Sequence, residues 1–140
     1  MKSGNDKIKY FVYCRKSSED DDRQVLSLDS QESELKELVE HLGLKVVGKP
    51  FFESKSAKEP YVRPVFAEMM TRIQKGEANG ILCWKVDRLS RNPIDGAMIQ
   101  WLLQKEVIRS IHTVGREYKS EDNSIIFNVE SSMATEYVRQ

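Results

Sequence analysis

Two short clusters of side chains can do chemistry together: Tyr13-Cys14-Arg15-Lys16-Ser17 closes one apolar run, and Lys85-Val86-Asp87-Arg88-Leu89-Ser90-Arg91 closes another. Alternate side chains of a strand share a face, so Tyr13, Arg15 and Ser17 point the same way if the extended chain continues through them. A serine hydroxyl is a weak nucleophile at neutral pH. It needs a base, or surroundings that stabilise its alkoxide and the charge building on the group it attacks. Arg15 supplies such surroundings, and Lys85, Arg88 and Arg91 add three more cations. Arg88 and Arg91 fall on one side if a helical turn forms there. Arginine stays protonated and offers forked donors that match phosphate oxygens, so several of them around one phosphate stabilise a pentacovalent transition state. Asp87 is placed to orient guanidiniums by charge-assisted hydrogen bonds, with direct proton transfer as the alternative. Arg63, at the end of a polar loop, can complete the pocket. The chemistry described is attack of a serine on a phosphodiester without an evident metal.

The elements that must position these clusters alternate between apolar runs and helix-period segments, which predicts an α/β layered domain with a largely parallel sheet. The first strand is expected over Lys9 to Cys14. Leu28, Leu35, Leu38, Val39 and Leu42 then repeat at helical spacing up to Gly43, with Ser27 or Asp29 capping the start. A second strand is expected over Lys45 to Phe52, with Gly48 and Pro50 warning of a bend or bulge. Glu53 to Arg63 reads as a polar loop. Pro64 suits the first turn of a helix whose Phe66, Met69, Met70 and Ile73 form one stripe ending at Gly76. Gly80 to Trp84 has the most buried character and delivers the second cluster at its carboxyl end, the edge where open α/β sheets bind ligands. Asn92-Pro93 opens a helix with Met98, Ile99, Leu102 and Leu103, and Val107 to Val114 supplies a fourth strand. Gly115 to Asn123 reads as a loop with a short extra strand near Arg116 to Tyr118. From Ser124 a helical period runs to Gln140 without a stop signal. That last helix looks cut, and the 140 residues read as one domain from a longer protein.

Composition narrows the class. With 39% hydrophobic and 31% charged residues the chain can bury one proper core. No apolar stretch approaches a membrane span and Met1 to Lys7 lacks a signal region, so a soluble cytoplasmic protein is expected. Cys14 and Cys83 each lie inside a strand and read as reduced core thiols rather than a disulfide or half of a metal site. The net charge is zero and the pI about 6.7, which argues against a complete DNA-binding protein, since such grip comes from many phosphate contacts. A catalytic domain whose grip comes from elsewhere is compatible with it.

These residues resemble the catalytic domain of the serine recombinases, the resolvase and invertase family, over essentially the whole chain. The family pattern Tyr, any, Arg, any, Ser is met by Tyr13, Arg15 and Ser17, which makes Ser17 rather than Ser18 the expected nucleophile. The second signature, a strand ending in Lys, apolar, Asp-Arg-Leu-small-Arg, is met by Lys85, Asp87, Arg88, Leu89, Ser90 and Arg91. Ser27-Leu28-Asp29-Ser30-Gln31 is similar to the helix-opening motif whose glutamine, here Gln31, lies near the site. Glu53, Ser56 and Arg63 match the family's acid, serine and arginine in the intervening loop, although the family more often has Asp where Glu53 stands. The acidic insert after Ser17 and the ending Met133 to Arg139 look more like the large integrase and transposase branch than the small resolvases.

The resemblance implies a three-layer domain with a mostly parallel central sheet of four or five strands flanked by helices, ending in a truncated interface helix. It implies site-specific recombination in which Ser17 becomes linked to a 5′ phosphate of double-stranded DNA, with no cofactor, metal or ATP. It also implies a dimer on each site and a tetramer at the synapse, the helix from Ser124 feeding the interface and Glu136 supporting dimer or site, with sequence recognition in a C-terminal region. Blander readings stand beside these. Ser17 and Ser18 can cap a turn; Glu19 to Asp22 is most simply a solvated loop; His41 and His112 lie in no cluster with a nucleophile. Trp84 and Trp101 are expected in the core or at an interface, and Tyr13 supports Arg15 or Ser17 rather than attacking. The rivals are a non-catalytic regulator that kept the fold, a flavodoxin-like phosphate-binding module, for which no Gly-rich loop follows the first strand, and a metal-dependent nuclease.

Overall fold

Alternation along the first strand sorts the interior. In a computed structural model, which describes residues 8–16, 27–54 and 62–120, β1 spans Lys9–Arg15 and is buried on both faces. Tyr10, Val12 and Cys14 pack with Leu35 and Leu82, while Phe11 and Tyr13 join a larger cluster containing Phe66, Met69, Ile73, Ile99 and Leu103. Helix α1 (Leu28–Leu42) therefore covers one face of the sheet, and α2 (Pro64–Gln74) with α4 (Pro93–Gln104) covers the other. The result is a three-layer α/β domain. Near-continuous apolar runs are what a parallel sheet covered on both sides requires.

Beside β1 on one side lie β2 (Lys45–Val46) and β3 (Phe51–Glu53); on the other lie β4 (Gly80–Leu82), β5 (Ser110–His112) and the two-residue β6 (Glu117–Tyr118). All pairings are parallel except β5 with β6. Among the described residues the sheet has six strands rather than four or five because the expected second strand is broken: Gly48 sits in the left-handed region at φ 70°, and Pro50 follows. Both pieces still pair with β1, one at each end. Gly80 has a different task. A Cβ there would lie 2.6 Å from the Tyr10 ring, which crosses this position so that its hydroxyl reaches Ser110 Oγ at 2.9 Å.

Caps fix the helices that flank the site. Ser27, not Asp29, caps α1, its hydroxyl accepting from Ser30 N at 3.1 Å, and Gly43 closes the helix in the left-handed region at φ 67°. Asn92 caps α4 in the same way, its Oδ1 accepting from Asp95 N at 2.8 Å. The end of α4 is less regular: Glu106 takes φ 62°, and the amides of Val107 and Ile108 both return to Leu102 O. Those residues finish the helix, so the fourth strand is shorter than Val107 to Val114. Trp101 lies outside the core, 61% exposed with Lys105 Nζ 5.1 Å from its ring. Among the described residues no helix is long and apolar enough to cross a membrane. The acidic run Glu19 to Asp22 and the helix expected from Ser124 lie outside the described residues.

Candidate active site

The carboxyl ends of β1, β3 and β4 meet at one edge. After β4 the chain passes through Cys83, Trp84 and an extended Lys85 into a one-turn helix, α3 (Val86–Leu89), anchored by the buried Val86 and Leu89. The last carbonyls of a helix have no partner within it and must be satisfied from outside. Guanidiniums do this here. Arg15 donates through Nη2 to Asp87 O and through Nε to Arg88 O, both at 2.9 Å, and Arg63 Nη1 donates to Leu89 O at 2.8 Å. Arg88 answers in the opposite direction, donating through Nη1 to Arg15 O at 3.3 Å and through Nε to Asp87 Oδ1 at 3.1 Å.

Gln31, on the first turns of α1, completes this knot from the other face of the sheet. Its amide Nε2 donates to Arg15 O at 3.0 Å, while its Oε1 accepts from Arg15 N at 3.3 Å. The next amide, Lys16 N, bonds Glu53 O at 3.0 Å. The backbone just before Ser17 is thus held from α1, α3 and β3 together. Arg15 is 1% exposed and Arg88 4%. Charges so buried are tolerable only when hydrogen-bonded.

A second set of bonds continues from Tyr13. Its hydroxyl donates to Glu53 Oε1 at 2.8 Å and accepts from Arg63 Nη1 at 3.1 Å. The Glu53 carboxylate also takes the amides of Val65 and Phe66 at 3.1 and 2.8 Å, capping the amino end of α2, where the helix dipole favours negative charge. Arg63 stacks its guanidinium 3.8 Å from the Phe66 ring centre and donates through Nη2 to Asp95 Oδ2 at 2.9 Å. Burial pushes the pKa of the Tyr13 hydroxyl above its ordinary value; the charge of Arg63 opposes this and that of Glu53 reinforces it. With its proton committed to Glu53 and no exposed surface, Tyr13 is not presented to a substrate.

The structure therefore gathers Arg15, Gln31, Asp87 and Arg88 in one knot, gathers Tyr13, Glu53 and Arg63 in a second, and joins the two through α3. Lys85 is exposed, its Nζ 4.9 Å from the Trp84 ring, and Trp84 Nε1 donates to Glu34 Oε1 at 2.8 Å. Arg91 is half-buried beyond the helix. Because α3 stops at Leu89 and Ser90 is extended, Arg88 and Arg91 are not aligned by a shared helical turn as their spacing suggested. Ser17, Ser56 and Glu136 lie outside the described residues. Two residues went unassigned in the sequence: Asn92, beyond its cap, and Asp95. The pattern Asn-Pro-any-Asp is a helix-start signal, but nothing local announces that the acid pairs with Arg63.

Burial raises the pKa of Cys14 to about 12 and also drives that of Cys83 upward, so both thiols are protonated core groups. Among the described residues no three His, Cys, Asp or Glu side chains gather as a metal site.

The family described as the resolvase N-terminal domain matches residues 10–140. Among solved structures, the chain is similar to the N-terminal catalytic domain of TP901-1 integrase, with 22% identity and a TM-score of 0.67 over 94% of this chain and 96% of that one. A resolvase family site-specific recombinase from Streptococcus pneumoniae gives 23% and 0.67 over 95% and 91%. The C-terminal catalytic domain of ISC1926 TnpA, an IS607-like serine recombinase, gives 20% and 0.61 over 87% and 77%. At these identities the likeness is one of fold. No curated protein sequence matches the chain.

Proposed function

The chain belongs to the resolvase family of serine recombinases, a family of site-specific DNA recombinases, and from that premise we propose that Ser17 is the nucleophile that cuts DNA. Its Oγ gives up its proton as it attacks the scissile phosphorus, and the bond to the 3′ oxygen breaks. That oxygen takes the electron pair and a proton to become a free 3′ hydroxyl, and the phosphate stays on Ser17 as a 5′ phosphoserine ester. After strand exchange a 3′ hydroxyl attacks the ester and releases Ser17. One phosphoester bond forms for each that breaks, so no ATP is consumed, and the charge stabilisation a metal would otherwise give is assigned to the cationic side chains.

In this reading Arg15, Arg88, Lys85 and Arg91 supply positive charge to the pentacovalent phosphorus, and Asp87 orients Arg88. Charged donors bond phosphate oxygens more strongly than neutral carbonyls, so the guanidiniums now turned to the backbone can be shared with a phosphate. Tyr13, Gln31 and Glu53 hold the frame, and Ser56 and Glu136 assist. Arg63, expected from the sequence to complete the phosphate pocket, is read as part of the frame because its Nη donors go to the Tyr13 hydroxyl, Leu89 O and Asp95. The observation that carries the reading is the mutual grip of Arg15 and α3: it brings the two sequence signatures, 73 residues apart, into direct hydrogen bonds at 2.9 Å. Residues 1–140 form the catalytic domain, and double-stranded DNA is recognised by a C-terminal region beyond it. The protein acts as a dimer on each site and a tetramer at the synapse.

The test joins this domain to its DNA-recognition region and incubates it with a cognate site in chelator. Protein covalently attached to 5′ DNA ends is expected in the wild type and absent in Ser17→Ala. An adduct that persists in the variant places the nucleophile elsewhere; DNA binding with no adduct in either favours a regulator that kept the fold.

A further inference from the structure

We propose that Asp95, outside both sequence signatures, is a positioning residue for strand cleavage; this rests on the serine-recombinase reading above. Asp95 stands in the first turn of α4, 5% exposed, with its Oδ2 accepting from Asn92 Nδ2 and from Arg63 Nη2, both at 2.9 Å. Its own amide is held by Asn92 Oδ1. The carboxylate therefore sits at a fixed point on a capped helix end. From that point Arg63 spans three elements, reaching Asp95 of α4, Leu89 O of α3 and the Tyr13 hydroxyl of β1.

This fork costs something. Arg63 Nε is buried with no hydrogen-bond partner among the described residues, and a buried donor left unmade is destabilising. A buried ion pair is also, in general, no more stabilising than an apolar pair of the same volume. The geometry is thus poorly explained by stability. What it does is fix the Leu89 carbonyl, one residue beyond Arg88 and two beyond Asp87, whose carbonyls Arg15 grips. Asp95 sets Arg63, Arg63 sets the end of α3, and α3 sets the guanidiniums of Arg15 and Arg88. Misplacement of reacting groups by about 1 Å can cost on the order of 10²-fold in rate.

The experiment measures single-turnover adduct formation at saturating site DNA, DNA affinity, and the guanidinium Nε–H NMR signals of Arg15 and Arg88. It compares wild type, Asp95→Asn and Asp95→Glu in the whole protein, at a temperature where each is folded. For Asp95→Asn the expected result is a fall in rate constant of roughly 10- to 100-fold, with affinity and final adduct yield unchanged and both Nε–H signals displaced. Asp95→Glu recovers much of the rate. If Asp95→Asn does not fold, Asn92→Ala, which frees one side of the same carboxylate, gives a smaller loss of the same kind. A wild-type rate in folded Asp95→Asn, yield falling in step with the folded fraction, or unmoved Nε–H signals would each overturn the proposal. Failure of the wild type to form any adduct would instead refute the recombinase mechanism, and the NMR comparison would still decide the role of Asp95.

Discussion

On the face of the sheet covered by α2 and α4, the two ends are built from different materials. Away from the carboxyl edge Met69, Met70, Ile73, Ile99, Leu103 and Ile111 close an apolar core. At the carboxyl edge the same helices begin among Arg15, Glu53, Arg63, Arg88 and Asp95, none more than 5% exposed. Apolar burial is non-directional and tolerates swaps that conserve volume. Charge-assisted hydrogen bonds are directional, and their Coulombic gain is largely offset by the cost of taking the ions out of water. One end supplies stability, the other geometry.

The ionic end is most open to disruption at Arg63. Arg63→Leu strands the Asp95 carboxylate in the interior and is expected to cost about 3–5 kcal/mol in urea denaturation. Adding Asp95→Leu should restore most of that stability without restoring DNA cleavage. A single-variant loss under about 1 kcal/mol would mean that the ionic end fixes no structure. At the apolar end, Met69→Ala should cost about 2–5 kcal/mol, yet leave the cleavage rate constant of the folded protein unchanged; a changed rate would show that the two ends are not separable.

The smallest effect is confined to alkaline pH. Burial raises the pKa of Cys14 from 9.0 to about 12 and raises those of Cys83, Tyr10 and Tyr13 as well. Above pH 9 the unfolded chain releases protons that the native protein keeps, so stability is full below pH 9 and falls as pH rises towards 12. Urea midpoints should be flat from pH 7 to 8 and decline beyond about 9. A flat profile through pH 11 would contradict the burial of these groups.

How much of this was legible in the sequence differs by element. Helix α1 could be read almost from cap to cap because Gly43 is a local stop signal and Ser27 is one of two candidate caps, and all four residues of the α2 stripe are buried as their spacing requires. The end of α4 could not, because Glu106 takes a left-handed conformation without the glycine that usually marks one. At the site, the residue types announced the chemistry but not their partners. Arg15 and Arg63 looked like free cations for a phosphate, whereas both spend donors on the carbonyls of a one-turn helix whose need for them appears only once the chain is folded. Asp95 was silent for a related reason: it lies 32 residues from Arg63, and a remote ion pair leaves no periodicity.

The broken second strand also bears on how concentrated protein behaves. Among the described residues the outermost strands of the sheet are only two, three and two residues long, and a kink at Gly48 interrupts one margin. A long, flat, unpaired strand is the template on which edge-to-edge aggregation starts. With its margins this short, the sheet offers little purchase for indiscriminate polymerisation, and encounters between copies are left to side-chain surfaces, where association can be selective and reversible.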